Sequence, residues 1–366
     1  MRMTPHRFLL FCYERSATQE IHFLRPLRKL RSEGKCRIAL VEEGEIESWR
    51  PPDRPRRIAK LWKTFRPTLV IFSRYAGGDY ELLVDAARSH NTPIVAHLDD
   101  DLFDVPAVLG QRKRDFHNSP ERLASLGDVF RSADLIYVPT EPLAECIRQR
   151  GFRAPVVVPP IQVAADPEEL RPPRQNNGGP ITVGYMGTAS HQDDLGMIAP
   201  PLARLLEENE DLRFETFGTI AMPSELARFG DRVRAIPAEK DYSMFLERLG
   251  RLKWDLGLAP LRETEFNNLR TYTKWLEYTL AGICVVASNI PVYRTVVGDS
   301  AGVLTEATEW YASLRRLMDF PASRSLCVEM ARRQVTEHHA STRLAEQIVH
   351  LESTTTAGVA IRSTDE

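Results

Sequence analysis

Three clusters of polar residues follow apolar runs in this sequence, and their types suit a charged, hydroxyl-rich ligand. The richest lies in FNNLRTYTKWLEYTLAG, which holds Arg270, Lys274 and Glu277. Read as one helix from about Arg270 to Ala281, stopped by Gly282, these three fall at i, i+4 and i+7 along one stripe. Two cations a turn apart repel, and an anion between them relieves the conflict. Their place in the first half of the helix also favours negative charge. A carboxylate further down the stripe can accept two hydrogen bonds from a ribose diol. Together they make a grip for a nucleotide diphosphate. The plainer reading is a solvated helix face with a Lys274–Glu277 pair.

The second cluster is the turn VGYMGTASH, where Gly187 gives the backbone room and Thr188, Ser190 and His191 can donate to phosphate or sugar oxygens. A helix follows, with Asp193 or Asp194 as its cap, and a helix N-terminus after a glycine turn suits an anion. The full GxGxxG fingerprint is absent, so a tight turn with a capping hydroxyl is the competing reading. The third cluster is Asp99-Asp100-Asp101, at the end of the apolar run PIVAHLD. Adjacent carboxylates raise one another's pKa, and such crowding marks a site or a cap. Asp99-x-Asp101 also resembles the DxD of single-domain, metal-dependent GT-A glycosyltransferases, which implies a pair holding Mn²⁺ or Mg²⁺ on the diphosphate; the diphosphate grip at 270–277 argues against it.

These clusters need elements to position them. Short continuous apolar runs alternate with amphipathic stretches. They are RFLLFCY (7–13), CRIALVE (36–42), TLVIFSR (68–74), PIVAHLD (93–99), LIYVPT (135–140) and VVVPP (156–160). After AADPEELRPPRQNNGGP the alternation restarts with ITVGYMG (181–187), LRFETFG (212–218), VRAIPA (233–238), WDLGLAPL (254–261), ICVVAS (283–288) and AGVLTE (301–306). Such runs suit strands covered on both faces. The pattern predicts an α/β chain of two doubly wound, Rossmann-like domains facing across a cleft. The expected divisions are a first domain over 1–163, a linker over 164–180 and a second domain over 181–335. The stretch from Ser323 to Leu351 reads as helical, with 336–352 packing back on the first domain. A disordered tail is expected over 353–366. Ligands in such sheets bind beyond the carboxyl ends of the strands.

Bulk properties narrow the partners. A net charge of -2 over 366 residues gives no field for nucleic acid. None of Cys12, Cys36, Cys146, Cys284 and Cys327 stands at CxxC spacing, which argues against a zinc or redox motif and fits a reducing compartment. The apolar run near the N-terminus ends at Glu14 and Arg15, too short for a signal peptide. No stretch approaches the roughly 20 apolar residues of a spanning helix. The expectation is a soluble, cytoplasmic protein, with peripheral contact at the inner face of a membrane left open.

The pattern carried by Phe266, Asn267, Arg270, Thr271, Lys274, Leu276, Glu277, Tyr278, Gly282 and Val285 to Ser288 resembles the donor motif of group 1 bacterial glycosyltransferases. The turn VGYMGTASHQDDL looks like the opening of that family's donor domain. The aspartate run, from His97 onward, resembles an acceptor-side motif of bacterial cell-surface glycosyltransferases. The resemblance implies a GT-B, family-4-like fold. It implies a UDP-, TDP- or GDP-sugar as donor, with no other cofactor and no metal required. Donor binding then falls to Gly187, Thr188, His191, Asn267, Arg270, Thr271, Lys274 and Glu277, with Glu277 on the ribose and the basic pair on the diphosphate. Asp99 and Asp100 are the expected catalytic residues, acting on an acceptor hydroxyl or on developing positive charge.

The implied reaction moves a sugar to a glycan or lipid-linked acceptor in bacterial surface polysaccharide synthesis, with retention at the anomeric carbon. A nucleotide-sugar epimerase and an inactive binding subunit on the same fold are the alternatives. One departure is Leu269, which stands where many members carry the first acid of a Glu-x7-Glu pair; Glu263 and Glu265 are the nearby substitutes. On the first domain, the loop from Glu14 to Gln19 is expected to face the acceptor. His22 and Arg25 follow it, as polar contacts or ordinary surface. Arg112-Lys113-Arg114 reads as a solvated loop, with contact to anionic lipid or acceptor phosphate as the alternative.

Overall fold

The computed structural model describes residues 5–175, 178–298 and 300–362. Among the described residues, twelve strands build two sheets. The first contains β1 (His6–Cys12), β2 (Cys36–Glu42), β3 (Leu69–Ser73), β4 (Ile94–His97), β5 (Leu135–Tyr137) and β6 (Val156–Val157). The second contains β7 (Ile181–Gly187), β8 (Leu212–Gly218), β9 (Val233–Pro237), β10 (Leu256–Ala259), β11 (Cys284–Ser288) and β12 (Val303–Thr305). Each strand falls on one of the twelve apolar runs, and every pairing within the sheets is parallel.

The central strands are apolar because both faces are covered, whereas β2, β8 and β9 carry the exposed Arg37, Arg213 and Arg234. In β1, Leu9 and Phe11 enter one core layer with Val70, Phe72 and Ile94. Phe8 and Leu10 enter the opposite layer with Leu69, Ile71 and Val95. This is the period of two expected of a strand buried on both sides.

Strand order places the clefts. The first sheet runs β2-β1-β3-β4-β5-β6 and the second runs β9-β8-β7-β10-β11-β12. Chain order reverses between β1 and β3 in the first and between β7 and β10 in the second. Loops leaving the carboxyl ends of those neighbours diverge and leave a crevice.

Beyond β12 a helix spans Pro321–His338 and a second spans Ser341–Arg362. The expected continuous helix is therefore interrupted at His339 and Ala340. Ala165 pairs in parallel there: its N–H donates to His339 O at 2.9 Å, and the N–H of Ser341 donates to Ala165 O at 2.9 Å. The last helix then packs Leu344, Ile348 and Leu351 into the layer that holds Phe8 and Leu10.

The disordered tail expected from residue 353 is corrected over its described part, since this helix continues to Arg362. The threonines hid the continuation of its buried stripe, which steps from Leu344 to Ile348, Leu351 and Thr355. Thr355 is buried, and its hydroxyl donates to Leu351 O at 2.7 Å. Residues 363–366 lie outside the described residues. No helix of the described residues is long and apolar enough to cross a membrane.

Candidate functional site

A cavity of about 610 Å³ lies between the two sheets. Its lining includes Thr18, Asp99 and Asp100 from the first sheet's loops and Gly187, Thr188, His191, Arg270, Thr271, Lys274 and Glu277 from the second's. Nine of the ten site residues expected from sequence thus meet in one cleft: seven end or follow β7 or β10, the second sheet's reversal, and Asp99 and Asp100 follow β4. The exception is Asn267. It is buried, does not line the cleft, and its side-chain amide donates to Arg262 O at 2.8 Å. Its visible work is to hold the loop that follows β10.

The helix expected from Arg270 to Ala281 is shorter. Thr264 caps a brief turn over Glu265–Asn268, and the main helix begins only at Thr273 and ends at Leu280. Arg270 and Thr271 lie in the bend between them. Gly282 ends the segment at φ 73°, as a C-terminal glycine does. The stripe is therefore not a single helix face, yet its cations converge. Arg270 Nη1 stands 3.3 Å, and Lys274 Nζ 3.4 Å, from Nε2 of His191.

His191 takes its orientation from its other nitrogen, Nδ1, which lies 2.8 Å from Oδ2 of Asp194. Burial and then Lys274 push its pKa down to about 3, so the ring is neutral at pH 7. With two cations donating to Nε2, the proton sits on Nδ1 and points at Asp194. His191 was expected to donate into the cleft; here Nε2 accepts instead. Asp194 is not a helix cap either. Its second oxygen accepts from the N–H of Arg262 at 2.9 Å, and Asp193 is the exposed neighbour.

Burial, then Arg270, lowers the Lys274 pKa to about 8. Burial raises that of Glu277 to about 7, despite the hydroxyl of Tyr242, which donates to Oε1 at 2.9 Å. These two groups therefore titrate close to neutrality, where a ligand's charge can decide their state.

On the facing side, Asp99 is held tightly. The Thr18 hydroxyl donates to Oδ2 at 2.6 Å and Arg74 Nη1 donates to Oδ1 at 3.0 Å. Burial pushes its carboxyl up, but Arg74, the two neighbouring histidines and Thr18 outweigh burial and hold it well below the usual range. Asp100 lies 3.6 Å from Arg74 and 3.3 Å from Arg270. Asp101 leaves the cleft: it accepts from Arg150 Nη2 at 2.7 Å and from the N–H of Phe103 at 3.0 Å. Asp99 and Asp101 are thus tied to different partners.

Several other expectations change. His22 and Arg25 are buried rather than surface. His22 lines the cleft beside His97, with ring centroids 5.0 Å apart. Lys113 lines the cleft from a helix spanning Gln111–His117, whereas Arg112 and Arg114 are exposed. Glu263 and Glu265 are exposed and do not line the cleft, so neither stands in for Leu269. Leu269 packs against the first sheet's core, and its carbonyl accepts from the Thr140 hydroxyl at 2.7 Å.

Two residues were missed. Arg74 holds φ 57°, a left-handed conformation uncommon outside glycine, directly after β3. Its sequence context, SRYAGG, shows only an arginine after a strand. Tyr242 approaches Glu277 from a helix 35 positions earlier, and no spacing rule announces such a contact.

No family model and no curated protein matches this chain. Solved structures do. Anabaena HepE in complex with UDP-glucose aligns at a TM-score of 0.66 and 14% identity, covering 95% of this chain and 100% of that one. A glycosyltransferase from Rickettsia africae ESF-5 aligns at 0.64 and 11%, covering 96% and 98%. The trehalose-6-phosphate synthase OtsA aligns at 0.60 and 12%, covering 95% and 99%. At such identities the likeness speaks for architecture. Two parallel six-stranded sheets, with helices interleaved and a cleft between them, give this chain the GT-B fold of those glycosyltransferase structures.

Proposed function

We propose that this chain is a glycosyltransferase that moves a sugar from a nucleotide diphosphate sugar to a hydroxyl acceptor. One observation carries the reading: Arg270 and Lys274 converge on one atom of His191, with Glu277 a turn further on and Asp99 and Asp100 opposite. In it, the diphosphate takes the two cations and the ribose diol takes Glu277. Gly187, Thr188 and Thr271 line the rest of the donor side, and Asn267 supports it by fixing the loop. Asp99 and Asp100 stand on the acceptor side.

The finer reading is a group 1, family-4-like enzyme acting with retention in bacterial surface polysaccharide synthesis. Its acceptor is a glycan or a lipid-linked glycan. The sequence motifs support this, as does the likeness to HepE, which binds UDP-glucose. UDP-, TDP- and GDP-sugars are the candidate donors. Metal independence is part of the proposal, because Arg270 and Lys274 supply the positive charge and Asp101 is engaged with Arg150. A cytoplasmic protein with contact at the inner membrane face fits exposed Arg112, Arg114 and Val108 on the first domain.

A thermal-shift screen of UDP-, TDP-, GDP- and CMP-sugars tests the reading, followed by nucleotide release with and without acceptor in EDTA. Stabilisation by one donor class and acceptor-dependent release are expected. Stabilisation by none would overturn it. Sugar isomerisation without acceptor would assign the site to an epimerase instead.

A further inference from the structure

Asp99 and Asp100 are neighbours in sequence, but the cleft treats them differently. Asp99 has both oxygens engaged, by Thr18 and by Arg74, within its own half of the molecule. Asp100 makes no hydrogen bond among the described residues; its contacts are ion pairs at 3.6 Å to Arg74 and 3.3 Å to Arg270. Arg74 follows β3 and Arg270 follows β10, so Asp100 is the carboxylate that reaches across to the other sheet. Arg270 is also one of the two cations gathered on His191. Its Nε is the atom that faces Asp100 Oδ1 at 3.3 Å; it is buried and makes no well-aligned hydrogen bond among the described residues. A buried guanidinium N–H whose neighbouring carboxylate is poorly aligned is under-satisfied and favours an anion that can align with it.

We propose that Asp100 is a displaceable counter-ion: a diphosphate entering the cleft takes Arg270 from it, and the freed carboxylate then receives the hydrogen bond of the acceptor hydroxyl. This rests on the reading of the cleft as a sugar-transfer site. Asp99 stays fixed on Thr18 and Arg74 throughout. Before the donor binds, Asp100 is spent on Arg270 and offers the acceptor little. Donor occupancy thereby prepares the acceptor side. By reciprocity, whatever favours the Asp100–Arg270 pair weakens the diphosphate.

The test compares UDP, TDP and GDP binding by calorimetry in the wild type, Asp100→Asn, Asp100→Glu and Asp99→Asn. Removing a competitor should tighten binding, so Asp100→Asn should lower the Kd of the preferred diphosphate by about tenfold. Acceptor-dependent turnover of that variant should fall. Asp100→Glu keeps the charge and should return Kd to near the wild-type value, which separates displacement from a fold defect. Asp99→Asn should not tighten binding. Equal or weaker binding in Asp100→Asn, with the wild type binding normally, overturns the displacement. A wild type that binds none of the three diphosphates overturns the sugar-transfer reading itself, and this inference with it.

Discussion

The hydroxyl of Tyr242 donates to Oε1 of Glu277 at 2.9 Å, and this is the hydrogen bond that the buried carboxylate has among the described residues. Tyr242 comes from the helix Tyr242–Leu252 and Glu277 from the helix Thr273–Leu280. A buried carboxylate with one donor is under-solvated, which is why burial carries its pKa up to about 7. A ribose diol would add the donors that the ionised form lacks.

Donor affinity should therefore rise with pH up to about 7. Below that pH the carboxyl is protonated, and the diol, which needs an acceptor, must expel the proton. Calorimetry at pH 6 in buffers of differing ionisation enthalpy should show proton release on UDP binding. Glu277→Gln should remove that release and weaken binding by about tenfold, since hydrogen bonds to a charged group contribute about 1.5–3 kcal/mol. Proton uptake at pH 6 would contradict the ribose assignment. The folding consequence has the opposite sense. With the folded pKa raised from 4.5 to about 7, the folded state binds more protons across that window, so stability falls as pH rises through it.

Lys274 sets the other limb. Its pKa is lowered to about 8, so above that pH the ammonium that would meet the diphosphate is lost. Affinity should then fall by up to about tenfold per pH unit, because each unit of titration is about 1.4 kcal/mol. Lys274→Arg keeps the charge to far higher pH and should flatten the alkaline limb. An alkaline limb that survives this substitution would belong to another group.

The fold was legible because the central strands of both sheets are buried on both faces and appear as apolar runs. Much of the candidate site was legible too, because the aspartates directly follow such a run, and Arg270, Lys274 and Glu277 lie in the polar segment beyond WDLGLAPL. What was not legible depends on contacts far apart in the chain. Arg270 is outside the helix because Thr264 caps a separate turn and Asn267 braces it on Arg262. His191 accepts rather than donates because Asp194 holds its proton. Arg74 reaches Asp99, 25 positions on, through a left-handed backbone that no local pattern marks.

The Arg74–Asp99 pair should support stability at neutral pH. Since the folded pKa of Asp99 is depressed, the contribution is present above its ordinary value of 3.8 and is lost as pH falls through the lower folded value. Asp99→Ala removes the nearer partner of a buried guanidinium and should cost about 3 kcal/mol. Urea midpoints at pH 7 should drop for Asp99→Ala. Wild type and variant should draw together at the acid end of the range. In a double-mutant cycle with Arg74→Met the two losses should be strongly non-additive; additive losses would show that the pair does not act as a unit.

The last helix offers a test that leaves the cleft untouched. Ile348 is fully buried in the layer formed with Phe8, Leu10 and Ile71, although about 340 positions separate it from β1. It joins the C-terminus to the first sheet, after the chain has completed the second. Ile348→Ala should therefore destabilise the sheet that carries Asp99, by about 3 kcal/mol, as large-to-small changes in a packed core do. Amide exchange should quicken in β1 and β3 before it quickens in β7 and β10. Nucleotide affinity should hold while the protein stays folded, because Arg270, Lys274 and Glu277 sit on the other sheet. Equal acceleration in both sheets would mean that the halves unfold as one unit. The helix would then act on the whole molecule rather than on the acceptor-side half.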